Sequence, residues 1–270
     1  MLTYFNKILI IYWFTEVITA IAVIALGGIN RWSTPKWVIA MIFLMIIDMV
    51  VLEIYARKEH LKLLNILFDE CDAKAYMEKY YPLMKRKRNT ILHDTMMANL
   101  AIGYSAIGDI ESAINIMHWI EQKQRSIKPR YYNIYCTFYI NTSTYYLKVN
   151  NVNQSSIYLN KAKELLSKID KKVIYDRLKK AVCTNEAYTS YLMGEYQNAL
   201  EYYLKSAEMP TNRYEEVLIH ESLAKIYKGL GNTEKQIEHR LFVAKYGNTL
   251  KIAEDARVFL DGYQIKWRQT

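Results

Sequence analysis

Glycine and proline are scarce. Nine glycines and four prolines in 270 residues are too few breakers for a β-sandwich, a collagen-like repeat or a disordered linker protein. Three cysteines exclude a disulfide scaffold. No Gly-x-x-x-x-Gly-Lys or Gly-x-Gly-x-x-Gly loop occurs to cradle a phosphate. No His-Glu-x-x-His or Cys-x-x-Cys occurs either, and His60, His93, His118, His220 and His239 are scattered. Zinc sites need such clustering, so neither a metal nor a cofactor is expected. No nucleophile, base and oxyanion donor can be assembled, so the chain reads as a non-enzyme. His93-Asp94 reads as a helix start with Asp94 as N-cap, rather than as an acid–base dyad.

What is present is apolar, aromatic and basic. Hydrophobic residues make up 51%, 24 residues are tyrosine, and the net charge is +9. So much tyrosine argues against disorder. Two apolar runs stand at the N-terminus, about 8–28 and 37–55. A helix needs roughly 20 apolar residues to cross a hydrocarbon core, so both qualify. The link Ile29–Lys36 is short and holds Pro35 as a breaker, and Trp32 and Trp37 suit one interface. The pattern predicts a transmembrane helical hairpin over residues 1–56. A cleaved signal peptide is the competing reading of the first run. Against it stand the weakly basic start, the interrupting Glu16 and the length of the run. Basic residues flank the outer ends: Lys7 before the first run, Arg57, Lys58 and Lys62 after the second. By the positive-inside rule the N-terminus and everything after the second run are expected in the cytoplasm of a plasma-membrane protein.

Glu16 and Asp48 each lie eight residues from the cytoplasmic end of a run. In an antiparallel hairpin both would sit about 12 Å inward, at 1.5 Å per residue. Acids at such depth are protonated, paired or turned to a protein interior. The bland reading is a shared-proton bond holding the hairpin, or an assembly contact. The sharper one is a relay in an accessory subunit of a transport complex. Residues 1–56 carry Lys7, Arg31 and Lys36 against Glu16, Asp48 and Glu53, so the whole positive excess lies in residues 57–270. Its sharpest cluster is Lys85-Arg86-Lys87-Arg88. A solvated loop accounts for it. Contact with anionic lipid is the functional reading, and nucleic acid is not expected as a partner of a tethered chain.

No Gly or Pro occurs between Lys36 and Pro82, so the second run is expected to continue as a stalk helix toward Asp69. A second helix, 73–88, would fold back to complete a stalk and first helix pair over 57–93. From Asp94 onward the chain repeats. Four turns, Gly108-Asp109, Asn150-Asn151, Gly194-Glu195 and Gly231-Asn232, can be superposed. Seven residues before each stands a small residue: Ala101, Ser143, Ala187 or Ala224. Five after stand Ala113, Ser155, Ala199 and Gln236. Small residues let two helices approach, and Gly or Asn tolerates the left-handed conformation that ends a helix.

These segments, above all "YTSYLMGEYQNALEYYLKSA", resemble the tetratricopeptide repeat (TPR) family across about 94–246. The turns are spaced 42, 44 and 37 residues apart, against about 34 in that family. The last pair also departs, with Gln236 and Arg240 where Ala and an aromatic are usual. The lysine, isoleucine, asparagine and tyrosine usage suits an AT-rich bacterial genome.

The resemblance implies an all-α fold: four helix pairs over 94–247 stacked as an antiparallel solenoid, then a capping helix and tail over 248–270. It further implies that the first helix of each pair lines a concave groove. Ile102, Thr144, Leu147, Tyr188, Tyr191, Lys225 and Lys228 would then meet a partner. An apolar, aromatic strip ending in lysines suits a peptide or protein segment with apolar anchors and an acid. The expected function is a membrane-anchored scaffold or adaptor. A peptide-sensing signalling protein is the alternative, beside the accessory transport subunit.

Overall fold

The computed structural model describes residues 17–18, 20–22, 25, 34–85, 90–123, 126–208, 211–265 and 267. Every regular element among them is helical. The chain divides into two units, Met1–Leu64 and Asn65–Thr270. The first apolar run lies largely outside the described residues, as do Glu16 and Arg86–Arg88.

Helix α1, Thr34–Phe68, is 35 residues long. With no breaker to stop it, it runs past residue 56, and the division between units falls inside it. Ile39, Ile42, Phe43, Met49 and Ile54 are each more than half exposed. Its stretch Ile39–Phe68 is long and apolar enough to cross a membrane, the one such helix among the described residues. Asp48, the tenth residue of this stretch, is buried.

The second unit starts where α1 ends. Cys71 takes a left-handed backbone (φ +54°), and Asp72 caps α2, Ala73–Tyr80, by accepting from the Ala75 amide at 3.0 Å. The expected helix 73–88 is shorter than that. Pro82 lacks an N–H and follows Tyr81, so the chain continues as a 3-10 turn, Tyr81–Lys85.

Four helix pairs follow: α3 (Ile91–Ala106) with α4 (Ile110–Glu121), α5 (Tyr132–Lys148) with α6 (Val152–Leu166), α7 (Lys172–Leu192) with α8 (Tyr196–Ala207), and α9 (Arg213–Gly229) with α10 (Thr233–Tyr246). Helix α11, Lys251–Gly262, closes the chain. The wide turn spacing follows from helix length, since α5 has 17 residues and α7 has 21.

One turn geometry recurs in all four pairs. Gly108, Asn150, Gly194 and Gly231 have φ of +92°, +58°, +84° and +72°. The amides of Asp109, Asn151, Glu195 and Asn232 each reach back to the carbonyls of Tyr104, Tyr146, Ser190 and Tyr227 at 2.9 Å. This is the Schellman ending, which satisfies carbonyls the helix leaves orphaned. Asp109, Asn151 and Asn232 then cap the next helix by accepting backbone amides at 3.0 Å, while Glu195 makes no side-chain cap. The small residues before each turn (Ala101, Ser143, Ala187, Ala224) and after three of them (Ala113, Ser155, Ala199) are buried, and so is Gln236 of the last pair. Ser143 and Ser155 share a 2.7 Å hydrogen bond where α5 meets α6.

Asp94 is not an N-cap. Thr90 caps α3 by accepting from His93 N at 3.2 Å. Asp94 lies in the first helical turn, fully buried, and pairs with Lys123.

The two ends of the second unit meet. Asn248 Nδ2 donates to the Glu70 carbonyl at 3.0 Å, and Thr249 Oγ1 donates to Asp72 Oδ1 at 2.7 Å. The Lys74 amide donates to Thr249 Oγ1 at 3.1 Å, and Lys74 pairs with Glu254 at 2.7 Å. The start of α2 therefore touches the start of α11. Tyr76, Tyr80, Tyr145 and Tyr214, drawn from α2, α5 and α9, are buried.

Candidate functional site

The first helices of the pairs, α3, α5, α7 and α9, carry the expected partner strip. Ile102, Thr144, Tyr188, Tyr191 and Lys225 are half-buried there, and Lys228 is exposed. Leu147 retains 1% of its surface. It packs inside and presents nothing to a partner. Tyr188 and Tyr191 lean on each other, with ring centroids 5.4 Å apart.

Polar groups connect the strip across helices. The Thr144 hydroxyl lies 2.9 Å from Asn185 Oδ1, and Asn185 Nδ2 donates to the Ile140 carbonyl at 3.0 Å. These bonds tie α5 to α7. Sequence reasoning misses Asn185, because a single buried Asn in a helix carries no local pattern. Lys148 Nζ donates to Ser105 Oγ at 2.6 Å, tying α5 to α3. Lys225 Nζ lies 3.4 Å from Tyr188 Oη and 3.5 Å from Glu221 Oε1. Glu221, itself buried, also pairs with Arg240 at 2.5 Å. The unusual Arg240 of the last pair thus has a role: it neutralises a buried carboxylate.

The electrostatics of this cluster are uneven. Burial, and next the charge on Lys225, push the Lys148 ammonium down to about 8, with Glu221 opposing. Burial pushes Glu221 up against the pull of Lys225 and Arg240. Burial works against the Lys225 charge as well, but Tyr188 and Glu221 outweigh it and its pKa stays raised.

A separate cavity of about 140 Å³ lies among α4, α5 and α6, lined by Met117, Ile120, Tyr135, Phe138, Tyr139 and Tyr158 among others. Glu121 at its rim accepts from Tyr158 at 2.7 Å and from Lys161 at 2.6 Å. Burial raises the Glu121 carboxyl, but Lys161 and Tyr158 outweigh it and hold it below the ordinary range. Among the described residues no three His, Cys, Asp or Glu side chains gather as a metal set. Glu16 lies outside the described residues, so the pairing of Glu16 with Asp48 finds no geometry here.

No known protein family, curated protein or solved structure matches the chain.

Proposed function

We propose that this chain is a non-enzymatic scaffold, anchored in the plasma membrane by the N-terminal hairpin. It would hold a protein or peptide through a TPR-like solenoid on the cytoplasmic side. The recurrent turn at Gly108, Asn150, Gly194 and Gly231 carries the reading. Stacked helix pairs of one geometry build binding surfaces rather than reaction centres. The exposed apolar side of α1 supports the anchor.

Three measurements test it. Alkaline extraction should leave the protein in the membrane pellet. A C-terminal reporter should be active only in the cytoplasm. In-cell crosslinking should capture a partner that a Tyr188/Tyr191/Lys225/Lys228-to-Ala variant loses while keeping its helicity. Release into the supernatant, an external reporter, or identical partners in both proteins would overturn the corresponding part.

The closure at Asp72 and Thr249 favours a second reading, signalling. Opening would be the response and the hairpin or a partner the output. Hydrogen exchange at 69–74 and 248–254 that changes when the partner binds would support signalling over a passive scaffold.

A further inference from the structure

Folded interiors keep few voids larger than a water molecule, because atoms lining a gap lose their dispersion contacts across it. The cavity among α4, α5 and α6 holds about 140 Å³. That is close to the roughly 150 Å³ at which an apolar cavity stays dry and takes up benzene. Met117, Ile120, Tyr135 and Phe138 in its wall are buried, so it is cut into the core rather than laid on the surface. The Glu121 side chain retains 32% of its surface, which brings one end of the cavity to solvent.

The wall selects for shape. Tyr135 and Phe138 stand edge to face with centroids 5.5 Å apart, and Tyr139 and Tyr158 are tilted at 6.2 Å. Rings set at such angles favour a further flat ring, since aromatic pairs gain from edge-to-face and offset contact.

The polar groups select for a donor. Thr142 Oγ1 donates to the Phe138 carbonyl at 2.8 Å, and Tyr158 Oη donates to Glu121 Oε2 at 2.7 Å. Lys161 Nζ donates to Glu121 Oε1 at 2.6 Å. These protons are engaged, whereas the carboxylate and hydroxyl oxygens keep acceptor capacity. Charge at this end is already balanced, because Lys161 offsets Glu121. The Lys161 ammonium also stands 4.7 Å from the Tyr158 ring centre and 5.5 Å from that of Tyr139. An organic cation would want that same place over the rings. A neutral ligand leaves the Lys161–Glu121 pair intact.

We propose that this cavity binds a small neutral aromatic molecule carrying one hydrogen-bond donor, the class of phenols and indoles, with Glu121 accepting from the donor. The site goes beyond the scaffold reading and stands whether or not a protein partner exists.

The test uses the full-length protein in detergent micelles, with protein-free micelles as the blank for partitioning. Phenol, toluene and benzylamine are titrated separately. Calorimetry gives affinity, and the methyl NMR signal of Met117 reports an aromatic ring arriving beside it. Phenol should bind saturably and shift the Met117 signal. It should bind roughly tenfold tighter than toluene, because it adds a hydrogen bond to a charged acceptor. Glu121→Gln should erase most of that difference and leave toluene unchanged. A merely structural Glu121 would weaken phenol and toluene alike, which would overturn its role as acceptor. Ile127→Phe, filling the cavity from the loop before α5, should abolish binding of both while circular dichroism stays that of the parent. Should that variant fail to fold, the phenol–toluene comparison in Glu121→Gln still decides. No saturable phenol binding, or no shift at Met117, would overturn the site. Benzylamine binding tighter than phenol would overturn the neutral class. None of these results touches the membrane or crosslinking tests of the scaffold.

Discussion

Thr249 Oγ1 donates a 2.7 Å hydrogen bond to Asp72 Oδ1 across 177 positions of sequence. The same Asp72 oxygen accepts the Ala75 amide and so starts α2. One carboxylate therefore begins a helix and fastens the far end of the domain to it.

Asp72→Ala should destabilise the domain more than Thr249→Val. The first removes a cap, which alone costs about 1 kcal/mol, and a closing bond as well. The second removes the closing bond alone, about 1 kcal/mol. Burial raises the Asp72 carboxyl, but the Ala75 amide, Thr249 and Lys79 outweigh it and hold it below the ordinary range. A depressed carboxyl stabilises above its unfolded pKa of about 3.9, and the contribution fades as pH falls through the lower folded value. Denaturant unfolding at pH 7 and pH 3 checks both points. The difference between parent and Asp72→Ala should shrink at pH 3.

His220 and His239 approach Nδ1 to Nδ1 at 3.0 Å. One ring must donate and the other accept, so the two rings cannot both be imidazolium in this contact. Burial, and next His239, push His220 down to about 4, while Glu216 and Glu238 oppose. Burial lowers His239 too, with Glu238 opposing and Lys235 adding to the fall. The unfolded chain then binds protons more readily between about pH 6.5 and pH 4, so stability is full above that window and is lost through it. Thermal unfolding at pH 7 and pH 5 should show a larger fall in Tm for the parent than for His220→Phe. The variant keeps an aromatic ring against Phe242, whose centroid lies 3.7 Å from that of His220.

The Lys148 ammonium titrates at about 8, below the unfolded value. Between about pH 8 and 10.4 the unfolded chain holds more protons, so this group makes stability rise with pH across that window. The Ser105 hydroxyl is its hydrogen-bond partner, and the charges on Lys225 and Glu221 act on it. Lys148→Met should flatten the rise relative to the parent. Parallel stability profiles for the two proteins would contradict it.

The recurrent turn makes opposite predictions at two of its members. Gly194 has φ +84°, and a Cβ added there would meet open space, so Gly194→Ala tests backbone strain alone. It should cost about 1 kcal/mol. Asn150 already bears a side chain at φ +58°. Asn150→Gly should change stability by only about 0.5 kcal/mol in either direction, since relief of strain opposes the extra freedom of the unfolded chain. Gly247→Ala should be worse than either, because a Cβ there would stand 2.7 Å from the Val243 carbonyl oxygen and 2.5 Å from Ala253 Cβ. Denaturant unfolding of the three variants ranks them.

The helix pairs are legible in the sequence because their causes are local. A Gly or Asn at a turn, an Asp or Asn cap behind it and small residues at fixed offsets act over about a dozen positions. The same locality misleads at Asp94. A carboxylate at a helix start reads as a cap, but Thr90 does that work, and Lys123 holds Asp94 inside. Pro82 is visible as a breaker, yet the helix expected over 73–88 runs through it. Leu147 shows a further limit. Its position in the repeat puts it on the strip, while neighbouring helices bury it.

From sequence alone follow the helical class, the four turns, the long apolar α1 and the surplus of positive charge. Each depends on residue chemistry or on hydrogen bonds between close neighbours. The contact of Asp72 and Lys74 with Asn248, Thr249 and Glu254, the Thr144–Asn185 tie, and the meeting of Lys225, Glu221 and Arg240 belong to tertiary structure alone. They depend on small rotations between successive helix pairs, summed along the unit. No window of sequence records that sum, and it decides which distant side chains come to face one another.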